Sequence, residues 1–195
     1  MAGHSHWANI QHKKGIADAK RGTGELTGET LEELTYEGFG PGGVALLIDV
    51  MTDNRNRTSG EVRKILDRAG GKMGSAGNVS FLFERKGQIA VEAAGTDEDT
   101  LLEIALDAGA EDVNRDGSVF VITTDPTAFA AVQSALKQKG VAVANAEISQ
   151  VPKAGVDVDE ETGRKVARLM EALDDHDDVQ NVYSNANLTE AMMAG

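Results

Sequence analysis

Six cations crowd one short stretch of this sequence. Arg55, Arg57, Arg63, Lys64, Arg68 and Lys72 fall within residues 51–72, against only Asp53, Glu61 and Asp67. The run Asp53-Asn54-Arg55-Asn56-Arg57-Thr58 sets two guanidiniums and two amides just ahead of a predicted helix start. Guanidinium forks and the free N–H groups of a helix N-terminus are donors that suit a phosphate. The same arginines could instead tie the loop to nearby carboxylates, since the chain carries 32 Asp and Glu. A second cationic stretch is the N-terminal arm. Residues 1–22 hold Lys13, Lys14, Lys20 and Arg21 against Asp18 alone, a net +3 in a chain whose total is −13, so the remainder carries −16. Three of the four histidines (His4, His6, His12) and the only tryptophan, Trp7, also stand in this arm. A basic arm bearing an aromatic on an acidic body suits contact with a polyanion. The acidic total rules out nonspecific coating of nucleic acid by the whole surface, so any such contact must be local.

Other chemistries find little support. With no cysteine there is no disulfide framework, thiolate metal site or cysteine nucleophile, which fits a reducing compartment. His4-Ser5-His6 could take up Cu(II) or Ni(II) adventitiously if Met1 were removed, but no carboxylate or thiolate completes a zinc site, and we assign no metal. Gly38-Phe39-Gly40-Pro41-Gly42-Gly43 spells G-x-G-x-x-G, yet the apolar, β-branched run Val44–Val50 follows it. A pyrophosphate cradle requires a helix there, so the motif reads as a turn. His176 lies in Asp174-Asp175-His176-Asp177-Asp178, a predicted solvated turn whose carboxylates would favour the protonated imidazole. No nucleophile or oxyanion partner accompanies it, so no catalytic residue, cofactor or small-molecule substrate is expected. There is no signal-peptide h-region and no apolar run of membrane-spanning length, which predicts a cytoplasmic protein.

The elements that must position these residues follow from periodicity and punctuation. Residues 2–21 have helical character, broken at Gly22-Thr23-Gly24. A strand is predicted near Leu34–Glu37, a second over Val44–Val50, and polar loop over Asp53–Arg57. Thr58-x-x-Glu61 has the form of a capping box, opening a helix that buries Val62, Ile65, Leu66 and Ala69 and stops at Gly70-Gly71. Val79–Phe83 reads as a strand. Residues 87–152 then spell βαββαβ: strands Gln88–Glu92, Ala110–Asn114, Ser118–Thr123 and Ala144–Val151, with helices Asp97–Ala108 and Thr127–Gln138. That order is the ferredoxin-like arrangement. An RNA-recognition platform of that fold needs aromatics on its central strands, and only Phe120 is present. A helix over Glu160–Leu173 and a strand over Gln180–Tyr183 are too few to stand alone and should return to the unit containing residues 34–84. The fold class is therefore α+β, with the ferredoxin-like module inserted in a second α+β domain.

Several stretches together resemble the YebC/PmpR family of bacterial probable transcriptional regulators, whose mitochondrial relative activates translation of cytochrome oxidase subunit I. They are Met1-Ala-Gly-His-Ser with Trp7-Ala-Asn-Ile10, Asp18-Ala-Lys-Arg-Gly22, Tyr36-Glu-Gly-Phe-Gly-Pro-Gly-Gly43, Thr52-Asp-Asn-Arg-Asn-Arg-Thr58, Phe83-Glu-Arg-Lys-Gly87 and Ala108-Gly-Ala-Glu-Asp112. The resemblance implies an N-terminal helical domain followed by two α+β domains, one inserted in the other. With the elements read above, residues 1–27 are expected to form the arm, 28–86 with 153–195 the discontinuous domain, and 87–152 the inserted one. In the family, several tens of residues of basic helix separate the landmarks that are fused here at Gly22-Thr23-Gly24, so most of the helical domain is missing from this chain. His6 also replaces the usual lysine. The resemblance further implies a non-enzymatic regulatory protein that contacts DNA, with Lys13, Lys14, Lys20, Arg21, Arg55 and Arg57 as matching cations and Arg63 continuing their face. Two other readings stay open: a ribosome-associated translation factor that binds RNA, and an acidic protein–protein adaptor that binds no nucleic acid.

Overall fold

Residues 30–194 are described in this structure, a computed structural model of the chain. Lys13, Lys14, Lys20, Arg21, Trp7 and the helix expected over residues 2–21 lie outside them. The chain forms two compact units. One is Glu84–Val151, and the other joins its flanking segments, residues 30–83 and 152–194 of the described chain. In chain order the elements are β1 (Glu32–Phe39), β2 (Ala45–Thr52), α1 (Arg55–Arg68), β3 (Lys72–Met73), β4 (Phe83–Glu92), α2 (Glu98–Asp107), β5 (Asp112–Asp116), β6 (Val119–Thr124), α3 (Phe129–Gln138), β7 (Val143–Pro152), β8 (Val156–Asp157), α4 (Glu160–Asp174), β9 (Val179–Ser184), β10 (Ala186–Asn187) and α5 (Glu190–Met193).

The flanking segments build one four-stranded sheet, β3-β1-β2-β9. β1 and β2 form an antiparallel hairpin, with Tyr36 opposite Ile48 and Glu37 opposite Leu47. The glycine motif is its connection: Pro41–Gly43 makes a single 3₁₀ turn, with Gly42 and Gly43 at φ 73° and 75°. A side chain at Gly42 would strain that left-handed backbone and strike Thr162 of α4. β2 is apolar without alternation because both of its faces are covered. Leu46, Ile48 and Val50 pack with Val62 and Leu66 of α1 and Val166, Leu169 and Leu173 of α4. Ala45 and Leu47, pointing the other way, pack with Val79, Phe83 and Tyr183. β9 follows the Glu84–Val151 unit in sequence and pairs antiparallel with β2, Tyr183 opposite Leu47.

The Glu84–Val151 unit is built on the sheet β5-β6-β4-β7. Counted along the unit this is second, third, first, fourth, the strand order of a ferredoxin-like fold. Ile89, Val91, Phe120 and Ile122 form its core with Leu101 and Ala105 of α2 and Val132 and Leu136 of α3. The fold is α+β, as the element order predicts.

Three local expectations need correction. Asp53–Arg57 is not all loop, because α1 starts at Arg55 and Asn54 is its N-cap. Thr58 and Glu61 therefore lie inside the helix and form no capping box. Val79–Phe83 is not a strand: Ser80–Leu82 is a 3₁₀ turn and β4 begins at Phe83. The strand predicted over Ala110–Asn114 is shifted to Asp112–Asp116, so the hairpin to β6 turns at Gly117-Ser118, where Gly117 supplies the positive φ of 59°.

Candidate nucleic-acid interface

The start of α1 is fixed by a relay of short polar contacts. Asn54 is extended, at φ −142° and ψ 92°, and its Oδ1 accepts the N–H of Arg57 at 3.1 Å. The N–H of Asn54 bonds Thr52 Oγ1 at 2.9 Å, and the Thr52 and Thr58 hydroxyls meet at 2.7 Å. The buried Thr58 hydroxyl donates to Asp178 Oδ2 at 2.6 Å. Its single proton is used there, so the Thr52 hydroxyl donates to Thr58. Each bond in such a chain polarises the next.

Asp178 is the hub of this cluster. Burial pushes its carboxyl up, but the bonds from Thr58 and from Arg57 outweigh this and hold it below the ordinary aspartate value. Arg57 Nη2 lies 3.0 Å from Asp178 Oδ2 and 2.9 Å from Asp53 Oδ1. Those two bonds, the one to Asp178 first, raise the guanidinium above its ordinary value. His176 Nδ1 accepts the N–H of Asp178 at 3.1 Å, and its Nε2 lies 2.6 Å from Glu61 Oε2. With Nδ1 accepting, Nε2 is the ring nitrogen placed to donate to Glu61. His176 is part-buried, not solvated. Glu61, His176 and Asp178 bring their ligand atoms within 4.8 Å of one another. Glu61 and His176 are bonded to each other, and the Arg57 guanidinium is the cation at Asp178.

The arginines singled out in the sequence thus divide. Arg57 is engaged by carboxylates, as the structural alternative requires. Arg55, in the first turn of α1, and Arg63 are exposed and form no ion pair with another described residue. Lys64 and Arg68 continue along α1 in the same condition. Sequence reasoning missed the cations of α4. A cavity of about 420 Å³ between α1 and α4 has Ile65, Ala69, Leu169 and Ala172 on its walls and Arg68, Lys165 and Arg168 around them. Lys165 is bonded to Glu161 at 2.7 Å, whereas Arg168 is exposed. The run Arg164-Lys165 with Arg168, at helical spacing, is the signal that could have revealed this second row. The ferredoxin-like sheet offers no stacking platform: Phe120 is buried in its core, and Gln88, Ala90 and Val121 on the opposite face of the central strands are buried and non-aromatic. Among the described residues no helix is long and apolar enough to cross a membrane.

Residues 31–186 match the family described as TACO1/YebC second and third domain. A probable transcriptional regulatory protein of Treponema pallidum is 40% identical over 244 residues, covering 99% of this chain and all of that protein. Another, from Desulfotalea psychrophila, is 41% identical over 245 residues, covering 99% of this chain and 98% of that one. Both alignments run well past the 195 residues of this chain, so each relative carries several tens of residues without a counterpart here. A crystal structure of a conserved hypothetical protein from Aquifex aeolicus superposes with a TM-score of 0.75 at 45% identity, over 95% of this chain and 74% of that one. A match over most of the sequence, relatives at this identity and a shared fold agree, and the chain belongs to the TACO1/YebC family.

Proposed function

We propose that this chain is a cytoplasmic, non-enzymatic regulatory protein that acts on transcription by contacting nucleic acid. Its relatives' designation as probable transcriptional regulatory proteins supports the regulatory part. The observation that carries the contact is the set of exposed cations on α1, led by Arg55 and Arg63, that form no ion pair among the described residues of a chain at −13. Cations clustered on one helix of an acidic protein form a local positive footprint that suits an external anion. In the first turn of α1 the Arg57 N–H is taken by Asn54, so any further donors at that place are the N–H groups of Arg55 and Asn56. Arg57 positions this turn through Asp53 and Asp178. The arm contributes four further cations by sequence, Lys13, Lys14, Lys20 and Arg21.

The test is the salt dependence of binding to duplex DNA. Each phosphate contact lowers log K by about 0.9 per decade of salt. Arg55→Ala and Arg63→Ala should each make that slope shallower by about 0.9, with Arg57→Ala changing it far less. A flat line for the parent chain would remove phosphate contact and leave the acidic surface as the binding surface. Co-sedimentation with ribosomes that is lost in the Arg55→Ala/Arg63→Ala double variant, with promoter binding intact, would move the target to ribosomal RNA.

A further inference from the structure

Phe81 is the most exposed large apolar side chain among the described residues, at 61%. Single exposed apolar residues are ordinary on protein surfaces. The mounting of this one is not. Phe81 occupies the Ser80–Leu82 turn between the buried Val79 and Phe83. The segment before it is pinned to β1: the Gly74 N–H bonds the Glu37 carbonyl at 2.8 Å, and the Glu37 carboxylate accepts the N–H groups of Gly77, Val79 and Ser80 at 2.6, 2.8 and 2.6 Å. Asn78 Oδ1 takes the Ser75 N–H at 2.8 Å, and beyond the ring the Leu82 carbonyl takes the N–H of Lys153 at 2.8 Å. A turn fixed on both sides holds its ring out into solvent.

Two short segments beside Phe81 are locally basic in an acidic chain. Residues 72–83 contain Lys72 and no acid, and residues 152–156, which meet the turn at Lys153, contain Lys153 and no acid; Glu84 and Asp157 follow them. Glu37 lies beneath the turn, but it is buried and its oxygens are taken up by N–H groups. Lys72 rests its ammonium 5.8 Å from the Phe39 ring centre, and Lys153 is exposed with no ion pair among the described residues.

We propose that Phe81 is a stacking platform for an unpaired base, with Lys72 and Lys153 meeting the phosphates on either side, so that this face takes single-stranded nucleic acid. Stacking on an exposed aromatic is tolerant of base identity and needs a free base face, which a duplex conceals. The proposal rests on the nucleic-acid reading above and narrows its ligand.

Binding of the full chain to a labelled DNA single strand, the RNA of the same sequence and the DNA duplex, each over a salt series, tests it. Phe81→Ala should weaken single-strand binding by about 5- to 150-fold at every salt concentration with the slope unchanged, because a stacked ring releases no counterions. Duplex binding should be unaffected. Phe81→Trp should restore single-strand affinity, and Lys153→Ala should make the single-strand slope shallower by about 0.7. The strand type that shows the Phe81 effect more strongly identifies RNA or DNA as the source. Single-strand binding by Phe81→Ala equal to the parent's, or duplex binding weakened by the same factor, overturns the stacking and leaves the nucleic-acid reading standing. A parent chain that binds neither strand nor duplex at low salt overturns both, and Phe81 then belongs to a protein contact.

Discussion

Glu37 reads in the sequence as one more acid on a strand, yet it is buried and organises a turn forty residues away. Burial alone would push its carboxyl up. The three N–H donors outweigh burial and hold it below its usual 4.5. A depressed folded value means that the stabilisation is complete above the unfolded value and is lost as pH falls through the folded one. Glu37→Gln should therefore cost about 1–3 kcal/mol near neutral pH, since one N–H loses its acceptor. It should also flatten the stability curve below pH 4.5, the range in which the parent carboxylate gains its proton. Urea unfolding across pH would show this; a variant with the parent's acid limb would mean that Glu37 is not the titrating group. Thr58 makes the same point about residue roles. Thr58→Val should cost about 1–3 kcal/mol because it strips a donor from Asp178 and an acceptor from Thr52. A loss confined to a few tenths in denaturant unfolding would show that water replaces the hydroxyl.

At the scale of elements, α1 and α4 carry most of the argument. The helical period of α1 was legible, because Val62 and Leu66 are buried and Ile65 and Ala69 pack beside them. Its first residue was not. Asn54 and Thr58 are both good caps four residues apart, and Asp178, 120 residues beyond Thr58, decides between them by drawing the Thr58 hydroxyl inward. Asn54→Ala should thus destabilise the protein by about 1 kcal/mol, which the midpoint of chemical unfolding reports. In α4 the informative residue is Gly163. Alanine there would favour the helix by about 1 kcal/mol in isolation, but its methyl would collide with the Met192 side chain of α5. Gly163→Ala should accordingly destabilise. Its cost combined with Met192→Ala should fall short of the two separate costs, as expected of sites in contact. Additive costs in the double-mutant cycle would show that α5 yields freely.

At the scale of the whole molecule, two separate cores imply two seats of stability. Leu136→Ala acts in the ferredoxin-like core and Leu173→Ala in the other, each at a fully buried side chain, and each should cost about 2–5 kcal/mol. Calorimetry should find that each substitution lowers a different part of the melting profile, with calorimetric enthalpy above the van't Hoff value. A single transition shifted equally by both would mean that the units unfold together. The charge distribution also belongs to this scale. The total of −13 repels a phosphate backbone, so under the proposed function contact falls to the exposed cations on α1 and α4.

Fold class, the ferredoxin-like order of strands and helices and family membership are legible in the sequence. Periodicity and turn residues are local properties, and family motifs are literal strings. The apolar run Val44–Val50, the helix from Glu160 and the turn at Gly42-Gly43 stand where those signals put them. Tertiary structure alone decided the rest, because it depends on partners far apart in the chain. Only the fold brings Asp178 to Arg57, 121 residues away, and so engages one arginine while Arg55 and Arg63 stay exposed. Only the fold buries Glu37 beneath the turn that displays Phe81. The short pairs β1–β3 and β8–β10 were likewise invisible, since two-residue strands have no period of their own and exist because neighbouring backbone leaves N–H and C=O groups to be met.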